Sequence, residues 1–462
     1  MDRLGTLDSS FLYLEKPNVH MHIAGLSVFD PSTRDDGDLG LEETRDLIAD
    51  RIHLVPRFRQ KVRSVPFEIN RPLWVDDPNF DIDFHVRAAS LPSPGGPREL
   101  AELVQRICSR PLDRTKPLWE MYRIEGLDDG HVAALTKVHH SMMDGLTGMQ
   151  VAAMLFDFTR EPRAVEPEPW EPQPEPSARQ LLTDAIVDQA ANGLGAVGRA
   201  AERAVRRPQE AVAAIGRTGA GFANLVGGMM SAPGPFTVSV GPTRRFSMAD
   251  APVSDAKDIK NALGGTVNDV ILSSVAGALA HLLESRGHVQ KDRTLRAMVP
   301  VSLRVGSPGT DSGNEVSPIF VDLPVGPMDE GKRLARITTA TRRLKESRAE
   351  VGTETLVELG GFFPAAFYRL VSAIAGRQRV ADLVVSNIPG PQDPMYFAGA
   401  RLVAYYPLMP LAETMGLSVG VTSLSGMMGF SFTADWDAVP DVWVLSDGLV
   451  ETFARLKKAA GV

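Results

Sequence analysis

Between Glu161 and Pro176 the chain sets proline after proline among glutamates. That composition favours an extended, solvated connector and contributes little to a packed core. It therefore cuts the 462 residues into two halves, each of which must bury its own apolar faces. The expected units are residues 1–160, a connector of 161–235 and residues 236–462. With 44% hydrophobic and 23% charged residues, both halves have the material for globular cores.

Each half alternates strand-like and helix-like stretches. Gly25–Phe29 reads as a strand, and Leu41, Leu47, Ile48 and Ile52 mark a helix by their spacing. Ala133–Val138 is a short apolar strand that runs straight into His139-His140-Ser141-Met142-Met143-Asp144-Gly145, and helical spacing resumes from Leu146 to Phe156. The second half predicts a helix through Val270, Ile271, Val275, Leu279 and Leu282, strands over Leu295–Val301 and Asp382–Ser386, and a turn at Asn387–Pro391. A hairpin is expected around Leu424–Gly426, and a last helix carries Val442, Leu445, Leu449, Phe453 and Leu456. The fold class is α/β. Ser177 to Met230 reads as helical, alanine-rich and studded with arginines; it is either a hairpin packed between domains or an interfacial helix docking on anionic lipid.

The histidine motif sits in a strand-to-helix turn. A neutral imidazole takes a proton near pH 7 without much tuning, which suits removal of a hydroxyl proton as the oxygen attacks a thioester. A thioester is already activated, so no covalent acyl-enzyme is needed, and no serine or cysteine nucleophile elbow is evident. Asp144 either orients the imidazole or forms an ion pair that holds the turn. The ion pair is favoured, with Arg304 as partner, and Gly145 suits close backbone approach. Thr266 and Asp269 have the spacing of a capping box, which alone accounts for Asp269. Asn268 is then either part of that helix start or a donor to a developing oxyanion, and Asn387 precedes a rigid Pro389-Gly390-Pro391 turn.

Other chemistries find no support. The formal charge of −8 argues against nucleic acid. His20 and His22 share a strand face but lack a third ligand, and His53, His85, His131, His281 and His288 are scattered, so no metal is expected. No phosphate-binding Gly-x-x-x-x-Gly-Lys string occurs. Cys108, the sole cysteine, fits an apolar helix face as a buried thiol. The opening residues do not read as a signal peptide, and no run of about twenty uninterrupted apolar residues occurs.

Taken together, the histidine motif, Pro111-Leu112-Asp113-Arg114, Pro117-Leu118-Trp119-Glu120, Thr266-Val267-Asn268-Asp269, Pro300-Val301-Ser302-Leu303-Arg304, Gly313-Asn314 and Asn387-Ile388-Pro389-Gly390-Pro391 resemble the bacterial wax ester synthase/diacylglycerol acyltransferase family along nearly the whole chain. Val238-Ser239-Val240-Gly241-Pro242 departs from the family's usual Asn-Gly before Gly-Pro. The resemblance implies two chloramphenicol acetyltransferase-like domains with mixed sheets and an active-site tunnel at their interface. It implies that the second histidine, His140, is the general base, and that Asp144 pairs with Arg304; His139 is then expected to pack or hydrogen-bond at the strand end. It also implies long-chain acyl-CoA as co-substrate without a cofactor. Diacylglycerol is the expected acceptor and a long-chain alcohol its rival. A glycolipid or polyketide hydroxyl, or a catalytically idle lipid-droplet protein, are the further alternatives. The implied location is cytoplasmic, peripheral to the inner face of the cell membrane or to lipid droplets.

Overall fold

The computed structural model describes residues 2–142, 155–166, 168–188, 234–302, 316–349 and 381–462. Three sheets organise them. Strands β1 (Asp2–Arg3), β3 (Gln60–Arg63) and β4 (Leu73–Asp76) make a small antiparallel sheet. The main N-terminal sheet draws on β2 (His22–Asp30), β5 (Val86–Ser90), β6 (Trp119–Glu125), β7 (Val132–His139), β12 (Tyr396–Phe397) and β13 (Ala400–Leu408). Its order is β12-β13-β2-β7-β6-β5, antiparallel except for β5 beside β6. The C-terminal sheet joins β8 (Arg244–Pro252), β9 (Thr294–Ser302), β10 (Val316–Pro324), β11 (Leu383–Pro389), β14 (Leu417–Leu424) and β15 (Met427–Asp435). Its order is β10-β9-β11-β14-β15-β8, with β11 parallel to both neighbours.

The strand that ends in the histidine motif is buried on both faces, which is why it reads as an apolar run instead of an alternation. On one face, Leu135 and Ala133 join Leu26 and Ala24 of β2 under helix α4 (Pro97–Cys108), whose Leu100, Ala101, Val104 and Ile107 recur at helical spacing. The α4 N-terminus carries Pro97 in its first turn, and the Glu99 carboxylate accepts from the Gly96 N–H at 2.9 Å. At its other end, the buried Lys137 ammonium donates to the Arg110 carbonyl at 2.6 Å, placing a cation where the helix dipole is negative. Cys108 is buried there, and burial pushes its thiol up to about 11, which makes it inert as a nucleophile. The opposite sheet face packs Val138, Ala134, Phe29, Met121 and Trp119 into a second core with Ile48 of helix α2 (Leu41–Arg51) and Ile82 of the short helix α3 (Ile82–His85).

In the C-terminal half, helices α5 (Val253–Leu263), α6 (Val267–Ser285), α7 (Glu330–Ala349) and α8 (Trp443–Ala460) build the largest core against the sheet. Helix α6 is apolar around most of its circumference, as a helix enclosed by protein must be. By length and composition it passes for a membrane span, but 72% of its most apolar window is buried inside the fold.

A split at residues 161–235 alone does not separate the two main sheets. Strand β13, from the C-terminal half, pairs with β2 and so completes the N-terminal sheet. It also lies against β14 and β15, where a Cβ on Gly420 or Gly429 would overlap the backbone carbonyls of Pro407 and Tyr405. Ser431 donates to the Pro407 carbonyl, and the Tyr406 hydroxyl donates to Asp250 at 2.6 Å.

Two local expectations shift. Asn387, Ile388 and Pro389 remain in β11, paired with β14, so the turn begins at Gly390, whose N–H meets the Ser423 carbonyl. In the segment expected to be helical from Ser177 to Met230, residues 178–188 are helical, and Leu181 and Ala185 pack on Val65 and Leu73. The rest of it lies outside the described residues.

Candidate active site

Strand β7 delivers His139 as its last residue, and His140–Met142 form a single 3₁₀ turn after it. Both histidines are pinned through their backbones: the His139 N–H donates to the Leu118 carbonyl at 2.9 Å and the His140 N–H to the Met21 carbonyl at 2.8 Å. Pro117-Leu118-Trp119-Glu120 thus borders the site, although Leu118 and Trp119 themselves are core residues, and Met142 is buried in the same core.

The His139 side chain is buried and continues the Lys137 face of the strand, opposite His22 of β2. Its Nδ1 accepts the Ser141 N–H at 3.1 Å and lies 2.7 Å from the Ser141 hydroxyl. The ring therefore clamps the turn. His140 differs. Its imidazole stacks on Phe11 of helix α1 (Thr6–Leu14), centroids 3.9 Å apart, and its Nδ1 is buried with no hydrogen-bond partner among the described residues. Burial pulls its pKa down to about 4, opposed by its own backbone carbonyl and reinforced by nearby His139, so the ring is neutral at physiological pH.

Glu15, which caps α1, completes the surroundings of the pair. Its Oε2 accepts from Arg114 Nε at 2.9 Å and Nη2 at 2.5 Å, while Oε1 accepts the Met21 N–H at 3.2 Å and stands 3.6 Å from His139 Nε2. Burial alone would raise the Glu15 pKa; His139 and Arg114 outweigh it and hold the carboxylate down at about 2. The same loop bridges the two halves: Lys16 pairs with Glu413 at 2.5 Å, Asn18 donates to the Val240 carbonyl at 2.7 Å, and Arg244 donates to the Asn18 carbonyl at 2.9 Å. Sequence reading missed Phe11 and Glu15, whose helix carries no distinctive pattern. Arg114 lay within the Pro111–Arg114 segment and was the available signal.

Of the supporting residues, Asn268 and Asn387 come together, Nδ2 of Asn387 donating to Oδ1 of Asn268 at 3.3 Å. Neither hydrogen-bonds the His140 ring among the described residues. Asp269 is a capping residue. Its carboxylate accepts the Thr266 N–H at 2.8 Å and the Thr341 hydroxyl at 2.7 Å, and its own N–H donates back to Thr266. Asp144, Gly145 and Arg304 lie outside the described residues. His20 and His22 direct their Nε2 atoms to the Ser109 and Cys108 carbonyls at 3.1 and 3.0 Å. Among the described residues, no group of three His, Cys, Asp or Glu is placed to hold a metal ion.

The described contacts set a backbone-pinned histidine turn beside a loop that joins two mixed-sheet halves. The sequence pattern of the wax ester synthase/diacylglycerol acyltransferase catalytic domain matches residues 4–271, and that of the family's C-terminal domain matches 312–457. The chain belongs to this family and is an acyltransferase. A Mycobacterium tuberculosis protein named as a diacylglycerol O-acyltransferase is 32% identical over 100% of this chain and 98% of its own length. Another from that species, likewise named, is 31% identical over 100% of both chains. Among solved structures, the wax ester synthase/diacylglycerol acyltransferase of Marinobacter aquaeolei shares the fold at a TM-score of 0.73, with 24% identity and all of both chains covered. The first condensation domain of the CDA synthetase shares it at 0.56, with 14% identity over 99% of this chain and 97% of that one. The expected α/β architecture with mixed sheets is thereby established.

Proposed function

We propose that this chain transfers a long-chain acyl group from acyl-CoA to the free hydroxyl of diacylglycerol, with long-chain alcohols as secondary acceptors. The observation that carries the proposal is His140: a neutral imidazole in a turn pinned by backbone bonds, next to a loop that joins the two halves. In this reading the acceptor hydroxyl gives its proton to the His140 imidazole as its oxygen attacks the thioester carbon. The carbon–sulfur bond then breaks, and the coenzyme A thiolate leaves and takes up the proton, returning His140 to its neutral state. A ring already neutral needs no prior deprotonation.

The two substrates approach His140 through a tunnel between the halves, and Asn268 and Asn387 contribute polar hydrogen-bonding groups on the C-terminal side. Because diacylglycerol resides in lipid, the enzyme works at the inner face of the cell membrane or at droplet surfaces. The test is purified protein with labelled oleoyl-CoA and separate diacylglycerol, hexadecanol and glycerol acceptors. Triacylglycerol is the expected main product, and His140→Ala lowers its rate about 10²–10⁴-fold. Release of coenzyme A that no acceptor stimulates, or full activity in His140→Ala, overturns the reading.

A further inference from the structure

Phe11 of helix α1 and Glu15, the residue that caps it, meet one motif histidine each: Phe11 lies on His140, and Glu15 faces His139. The stacking contact is apolar. The Glu15 contact is polar, buried and directed at one nitrogen. Because His139 Nδ1 accepts the backbone N–H of Ser141, the neutral ring must carry its proton on Nε2. Among the described residues that nitrogen is buried without a hydrogen-bond partner, and Glu15 Oε1 stands 3.6 Å from it. We infer that Glu15, oriented by Arg114, is a positioning residue that fixes the tautomer of His139 and thereby holds the Ser141 turn carrying His140.

The hydrogen-bond inventory of Glu15 explains why a carboxylate is needed. Oε2 is committed to two Arg114 donors, and Oε1 serves the Met21 N–H while facing His139 Nε2. Donors stand on both sides, so only a group that accepts at both ends satisfies them. Met21 closes the circuit, since its carbonyl receives the His140 N–H. Among the described residues, the other charged or titratable groups around His139 and Glu15 are His140, His22, paired with His139 across the sheet, and His20 and Lys137. None of them offers His139 Nε2 an anionic acceptor.

Glutamine at this position keeps the shape but accepts at one end only. The Arg114 guanidinium claims that oxygen, which turns the amide NH₂ toward Met21 and His139. His139 then favours the tautomer protonated on Nδ1, which clashes with the Ser141 N–H. The inference rests on His140 as the base, so its test has a readout independent of turnover. In wild-type protein, histidine NMR with isotope-labelled imidazoles shows His139 protonated on Nε2. In Glu15→Gln the other tautomer appears, kcat falls about tenfold and KM for acyl-CoA and acceptor stays within about twofold. Glu15→Asp, which accepts at both ends, keeps the wild-type tautomer. An unchanged His139 spectrum in Glu15→Gln overturns the inference, as does unchanged kcat in a protein with measurable transfer. If wild-type protein transfers no acyl group, the spectrum decides alone.

Discussion

The Phe11 ring lies against the His140 imidazole with centroids 3.9 Å apart and planes inclined by 21°. Residues from opposite ends of the N-terminal half are thus in stacking contact, because α1 packs directly over the turn that follows β7. The contact keeps water from one face of the ring and restricts its rotamers. It accounts for part of the burial that holds His140 neutral down to about pH 4.

Removing that cover raises the basicity of His140. In Phe11→Ala the folded-state pKa moves up from about 4 toward the ordinary 6.5. With His140 as the proposed base, the acid limb of kcat/KM shifts upward in pH with it, because the protonated ring cannot accept the hydroxyl proton. A pH–rate profile of variant and parent checks this; coincident acid limbs would show that Phe11 does not set the base.

Stability depends on pH in a related way. His140 and His85 both have pKa values lowered to about 4, chiefly by burial, and His85 is stacked on Trp119 with centroids 4.5 Å apart. As pH falls below 6.5 the unfolded chain takes up protons that the folded protein refuses. Their stabilisation is therefore fully present above pH 6.5 and declines toward pH 4, by about 3 kcal/mol per group. Glu15, held at about 2, adds a loss that begins below its ordinary 4.5. Calorimetric Tm values should start to drop near pH 6.5, with a shallower drop in His85→Phe. A Tm that stays flat to about pH 4.5 would refute the assignment.

Gly429 stands where β15 passes under β13, and a Cβ there would overlap the Tyr405 carbonyl. Backbone cannot step aside as a flexible side chain can. Gly429→Val is expected to cost more than about 3 kcal/mol, seen as a fall in urea midpoint or loss of soluble protein. Gly426→Ala, whose site is open, meets no such overlap but is strained by its positive φ of 85°, so its smaller loss separates crowding from backbone strain.

Asp269 illustrates a motif residue whose observed contacts are structural. Asp269→Ala removes the carboxylate half of the α6 capping box and the nearer acceptor of the Thr341 hydroxyl, which keeps the Thr338 carbonyl at 3.2 Å. A loss of about 1–2 kcal/mol is expected, with kcat per folded molecule preserved. Thermal melts and active-site-normalised rates measure the two separately, and a large fall in kcat at unchanged Tm would restore a chemical role.

The legible parts of the sequence were those in which local pattern and local contact coincide. The strand into the histidines, the long apolar α6 and the Thr266–Asp269 cap are written in spacing because each is decided within a few residues. Asn387 was placed in a turn because Asn-x-Pro-Gly-Pro has turn chemistry, yet pairing with β14 extends the strand through Pro389.

By itself, then, the sequence determined an α/β chain and a pair of histidines at the end of a buried apolar strand. It did so because periodicity reports which faces must be buried and residue type reports what chemistry is available. Tertiary structure alone decided that β13 crosses to the N-terminal sheet, that Phe11 covers His140 and that Glu15 confronts His139. Those are contacts between elements distant along the chain. They depend on which buried faces meet, and a pattern of buried faces does not specify its partners.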